Sequence, residues 1–276
     1  MSLHAQQQDI MEELQEHLAT IAGGAPAVEL GRVYEEVEQC FQATACCALL
    51  VAADRASFQK HLCWAALARR DYLRRIRDEG LPNDFRCARG RSEAFFCAVA
   101  AGDIALAVEI GDLSPSVRIP DGEYEDDFAY QCFLHQCLKR ADPVVRGTVL
   151  RRFEAAVKDS HSSRFDVCTA LQQGSREDFE SALEAVIDGH CLEQDDLRPH
   201  SEDVSTFEPR SRVFIEGLAL LRIASTQGLH STARTFRRCP WSVREYALEG
   251  RPDDIFAEMT KLSGTRRPTR RGSSPA

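Results

Sequence analysis

Apolar positions along this chain recur at steps of three and four, the spacing of residues that share one face of a helix. At the amino end, Asp9, Glu12, Glu13 and Glu16 punctuate an amphipathic helical start. No alternation of polar and apolar residues is long enough to argue for a sheet. Capping residues mark where helices begin: Asp54 ahead of Arg-Ala-Ser-Phe, Asp103 ahead of Ile-Ala-Leu-Ala, Asp142 followed by Pro143, and Ser175 with Asp178 three residues on. These signals divide the chain into about ten to twelve helices, and the fold class they predict is all-α.

A second regularity concerns the stops. Gly102, Gly174 and Gly250 each follow a helical run and precede a polar cap, which predicts antiparallel helical hairpins stacked in an irregular array. The roughly 34-residue period of a tetratricopeptide-type solenoid is not sustained. Three long loops are expected, at Gly80–Arg91, Gly111–Gly122 and His190–Arg210, each carrying proline. The expected organisation is one helical domain over residues 1–263, divided near residue 92, followed by a disordered basic tail at 264–276.

Composition adds little to the fold but narrows the function. At 276 residues, 43% hydrophobic and 28% charged, the chain resembles an ordinary globular protein, and its longest apolar run, Cys46–Ala53, is far short of a membrane span. The amino end lacks the pattern of a secretory signal, so the expectation is a cytoplasmic protein. Eleven cysteines, two of them adjacent and most within apolar helical runs, read as reduced core residues. The net charge of -9 includes four arginines in 264–276, so the remainder is more acidic still. Such a surface disfavours nucleic acid as a direct partner and favours a basic protein surface.

The acid is concentrated in two blocks. Glu123, Glu125, Asp126 and Asp127 crowd the start of a helix running to Leu138, on which Tyr124, Phe128, Cys132 and His135 share one face. Carboxylates there complement the helix dipole, yet neighbouring like charges repel, so the dipole alone does not require this density. The second block holds eleven carboxylates and one arginine between Glu177 and Glu208. Its first part reads as the solvent face of a helix with Phe179, Leu183, Val186 and Ile187 inward. Asp195, Asp196, Glu202 and Asp203 fall in the proline-bounded loop, as a solvated linker or as ligands for something basic.

Enzymatic readings find weak support. Asp126 and Asp127 point to different sides of a helix, Cys137 lies off the face shared by Cys132 and His135, and His190-Cys191 are adjacent rather than opposed. No phosphate loop, nucleophile elbow or dinucleotide fingerprint occurs. The sequence therefore names no catalytic, metal or cofactor-binding residue. From Arg69 to Arg91, eight arginines against four acids read as a solvated face or as partners for the acidic blocks.

Val213–Leu229 is an amphipathic helix with Phe214, Leu218, Leu221 and either Ala224 or Ser225 inward, closed by Gly228. Together with the acidic helix at Glu123–Leu138, the Gly102-Asp103 hairpin and Arg238-Cys-Pro240-Trp-Ser-Val-Arg244, it resembles the immunity protein 49 family of bacterial polymorphic-toxin systems, from about Ala94 to Arg244. The cysteine-rich region before Arg69 shows no such likeness. The resemblance implies a helical protein that binds and blocks a cognate toxin without catalysis, and it supplies no contact residues. The concentration of negative charge supplies them: Glu123, Glu125, Asp126, Asp127, Asp195, Asp196, Glu202 and Asp203, facing a basic, nucleic-acid-targeting effector. The alternative is a helical-repeat scaffold or adaptor that binds an endogenous protein or peptide in a groove between hairpins.

Overall fold

A computed structural model describes residues 3–158, 160–200, 204–231, 234–246, 249–257 and 259. Twelve α-helices follow one another, with no strand among the described residues: α1 (Leu3–Ala22), α2 (Ala27–Ala52), α3 (Arg55–Asp78), α4 (Glu93–Ala101), α5 (Ile104–Leu113), α6 (Glu125–Leu138), α7 (Pro143–Val157), α8 (Ser163–Gln173), α9 (Arg176–Leu197), α10 (Val204–Arg210), α11 (Ile215–Thr226) and α12 (Trp241–Arg244). The all-α expectation and the helix count hold. So do the caps: the side chains of Asp54, Asp103, Asp142 and Ser175 accept from the backbone N–H of Ser57, Leu106, Val144 and Asp178. Each satisfies a donor that the first helical turn leaves without an intrahelical partner.

Short connections fold neighbouring helices into hairpins, with α1 on α2, α2 on α3, α4 on α5, α6 on α7 and α8 on α9. Gly102 ends α4 at φ 89°, a left-handed conformation that costs a side-chain-bearing residue energy, so the reversal into α5 falls at a glycine. α4 is apolar on every side, and all its residues after Glu93 are buried. A helix without a polar face belongs in the middle, and α4 packs on α3, α5 and α11 at once. One hydrophobic cluster runs from Ile10 to Phe256. All eleven cysteines are free thiols, ten of them buried. No helix among the described residues is long and apolar enough to cross a membrane.

Two sequence expectations need correction. The stretch His190–Arg210 is mostly helical: α9 continues to Leu197, a 3-10 turn covers Arg198–His200, and α10 begins at Val204. Pro199 stops α9 only just ahead of itself, and Cys191, 3% exposed, holds the last turns of α9 to the core. Of the α3 arginines from Arg69 to Arg77, Arg69, Arg70 and Arg75 turn inward, away from both acidic blocks, while Arg74 and Arg77 stay on the solvated face. Arg69 donates to the carbonyls of Arg86 and Ala88, Arg70 pairs with Asp254 and Glu109, Arg74 pairs with Glu109, and Arg75 reaches Glu79 and the carbonyl of Ala25. They staple α3 to the 85–88 turn, to α5 and to the carboxyl-terminal segment. The tail at 264–276 lies outside the described residues.

Arg69 also acts on a buried acid. Glu38 on α2 is 7% exposed and its Oε1 has no hydrogen-bond partner. Burial pushes its carboxyl up to about 8, with Arg69 pulling the other way, so Glu38 holds its proton at neutral pH.

Candidate functional site

The first acidic block is positioned by a reciprocal clamp. Arg89, 8% exposed, donates to the carbonyls of Gly111 at 2.6 Å, Ser114 at 3.3 Å and Pro115 at 3.2 Å. A buried guanidinium thereby caps the negative end of α5 and fixes the start of the 114–124 loop. The far end of that loop returns the contact. Glu123 accepts from Gly90 N at 2.5 Å and from Ile119 N at 3.1 Å. Gly90 has to be a glycine for this approach, since a Cβ there would lie 2.8 Å from the Cβ of Asp127 and 2.9 Å from Glu123 Oε2. Replacing Arg89 with methionine is expected to destabilise the fold by about 2 kcal/mol, because three buried carbonyls lose a charged donor. Urea denaturation measures this, and an unchanged midpoint would remove the clamp from the account.

Glu123 is consequently a buried structural carboxylate with both oxygens engaged. Tyr124, placed by the sequence on the apolar face of the helix, is instead its N-cap residue and is 78% exposed, because α6 begins one residue later. The remaining acids of the block diverge. Glu125 pairs with Arg152 at 3.3 Å on the α7 side. Asp127 accepts from Arg164 Nη1 at 3.2 Å, and Arg164 turns its other nitrogens to Glu216 at 2.7 and 2.9 Å. Tyr130 donates to the same Glu216 at 2.8 Å. Burial raises the carboxyl of Asp127 against the pull of Arg164; for Arg164, burial opposes the charge but Glu216, Tyr130 and Asp127 outweigh it and hold the guanidinium charged. Asp126 has no ion-pair partner among the described residues.

This Asp127–Arg164–Glu216 network divides a cleft. On one side is a space of about 610 Å³ between the 90–93 turn, α2, the end of α9 and the start of α11. On the other is a lobe of about 360 Å³ against α6, α7 and α8. His190 stands between them, its ring stacked on Phe214 with centroids 4.1 Å apart and its Nε2 without a partner. Burial, then Arg238, pushes its pKa down to about 4, so it is neutral. Cys191 turns into the core, and the two do not face each other as nucleophile and base. Glu193 borders both spaces, is exposed, and has no ion-pair partner among the described residues.

Acids from two blocks far apart in sequence thus share one cleft: Asp126 and Asp127 from α6, and Glu193 from α9. Asp195 does not join them; it lies 3.8 Å from Arg238. Asp196 is exposed on the same helix and borders neither space. Glu202 and Asp203 lie outside the described residues. Sequence reasoning missed Glu216 and Arg164, which carry no local signal, and passed over Glu193 within its block.

The arrangement offers little to a metal. His135 Nδ1 accepts from Arg89 and its Nε2 donates to the carbonyl of Val108, and burial followed by Arg89 lowers its pKa to about 4. Only Glu13, His17 and Cys40, among the described residues, bring candidate ligand atoms within 4.8 Å of one another. None of the three borders the cleft, and His17 already faces Glu13 at 3.3 Å and Glu36 at 3.6 Å as an ordinary paired side chain between α1 and α2.

A family model described as immunity protein 49 matches residues 39–235. The match takes in every residue bordering the cleft, and it begins well inside α2, so the cysteine-rich region that showed no likeness by sequence is included. No curated protein and no solved structure matches the chain.

Proposed function

The chain belongs to the immunity protein 49 family, and we propose that it binds and neutralises a cognate bacterial toxin by seating a basic segment of that toxin along the cleft between α6, α9 and α11. The observation that carries this reading is the convergence of the two acidic blocks there, with Asp126 and Glu193 left unpaired at its edge. Free carboxylates at the edge raise the rate of encounter with a basic surface, and the half-buried Asp127–Arg164–Glu216 network below them offers fixed hydrogen-bonding geometry. A toxin acting on nucleic acid needs a basic face for its substrate, and an acidic cleft complements that face. The residues proposed to meet the toxin are Asp126, Asp127, Glu193 and, on the adjoining exposed surface, Glu125, Asp195 and Asp196. Glu123 is left out because its carboxylate is consumed by the clamp. The adaptor reading requires an apolar groove, and the charged residues along this cleft weigh against it.

Co-expression with the product of the neighbouring gene tests the reading. Protection of the host and a stable complex on gel filtration are expected. A neighbour that is toxic whether or not this chain is present, with no complex formed, would overturn it.

A further inference from the structure

A second cavity, of about 640 Å³, lies between the end of α11, α12 and the start of α3, and shares no bordering residue with the acidic cleft. Its chemistry is the opposite. Arg55, Arg222 and Arg244 border it, with Glu245 as its one carboxylate.

Arginines withdrawn from water normally meet a carboxylate, because an uncompensated charge is costly to desolvate. Arg222 and Arg244 do not. Arg222 donates to the carbonyl of Tyr246 at 2.7 Å and reaches that of Val243 at 3.5 Å, while its Nε is buried with no acceptor. Among the described residues, Arg244 donates only to the carbonyls of Cys239 and Arg234. Burial pulls both guanidinium groups below their ordinary pKa, with no ion pair to either among the described residues. Ser231 at the same cavity has a buried hydroxyl without a partner. Two aromatic rings complete the lining. Tyr246 carries Arg55 over its face at 5.1 Å, and Trp241 is 77% exposed.

We propose that this cavity binds a nucleotide, its phosphate held by Arg222 with Arg55 beside it and its base stacked on Trp241. A planar guanidinium with free N–H groups matches phosphate oxygens, and an anion there supplies the counter-charge the fold withholds. The volume falls in the range of small-ligand sites and exceeds what a phosphate group alone would fill. The exposed indole is a stacking surface for a base. The inference does not depend on toxin binding.

Calorimetric titration of the intact chain with adenosine monophosphate is the test. Saturable binding is expected, with adenosine and inorganic phosphate each at least about tenfold weaker, and with about a tenfold loss in Arg222→Gln. Because Arg222→Gln removes bonds to two carbonyls, Trp241→Ala provides a surface substitution that leaves the fold intact, with about the same expected loss. Glu245→Gln removes the one opposing charge and is expected to tighten binding. Absence of saturable heat with adenosine monophosphate overturns the proposal. So does adenosine or phosphate binding as tightly as the nucleotide, or unchanged affinity in Trp241→Ala.

Discussion

Exchanging Asp126 and Glu193 together for lysine is expected to weaken toxin binding by about a hundredfold at low ionic strength, with the denaturation midpoint unchanged. Both carboxylates border the cleft, and neither has an ion-pair partner among the described residues, so the fold loses no bond when they go. Each reversal removes one attraction to a basic partner and adds one repulsion. The loss belongs mainly to the association rate, because charges at an exposed edge act before contact, and it should shrink as salt rises and the screening length falls to about 8 Å at physiological ionic strength. Asp127 is a poorer choice for reversal, since its bond to Arg164 is part of the fold. Surface plasmon resonance at two salt concentrations is the measurement. Equal association rates for the parent and the double variant would take the cleft out of the interface even if the protein still protects its host.

The largest effect on stability is expected from pH acting on Glu38. Its folded pKa is about 8 against an ordinary 4.5, so between those values the folded state holds a proton that the unfolded state has released. Stability then falls with rising pH by about 1.4 kcal/mol per unit, amounting to about 3 kcal/mol by pH 7. His135 and His190 work in the opposite sense. Both are held near 4 against 6.5, so below pH 6.5 the unfolded state binds the extra protons and stability rises with pH. Together these three groups place maximum stability near pH 6.5, with a decline towards pH 8. Glu38→Gln cannot ionise and should abolish that decline while stabilising the protein at neutral pH. Chemical denaturation across pH 5 to 8.5 follows both limbs, and an undiminished decline in Glu38→Gln would show that another group is responsible.

Helix boundaries were largely legible because their signals are local. Asp54, Asp103, Asp142 and Ser175 each satisfy a backbone donor within three residues, so a cap can be recognised without knowing the rest of the fold. The end of α9 was not. Acid density and two prolines looked like a loop, but Cys191 is buried and anchors the last turns of the helix. The site was legible only in its ingredients. Four acids near the start of α6 looked alike in sequence, yet the folding back of the 114–124 loop consumes Glu123, Arg152 takes Glu125, Arg164 takes Asp127, and Asp126 alone stays free among the described residues. Nothing near those residues announces that Glu193, on α9, will stand across the same cleft.

The carboxyl-terminal segment carries a consequence for how the chain is made. The backbone carbonyl of Asp253 accepts from Trp64 Nε1 at 3.1 Å, Asp254 pairs with Arg70, and the fully buried Phe256 packs 6.2 Å from the ring of Tyr34. During synthesis the α2–α3 hairpin emerges early, but one of its faces stays uncovered until residue 256 has left the ribosome. Until then Tyr34, Trp64 and Arg70 lack the partners that residues 253–256 supply, so nascent chains halted before residue 253 are expected to leave that patch of the hairpin without its cover. Quality-control factors that recognise such surfaces would thus treat a chain lacking residues 253–256 as incomplete.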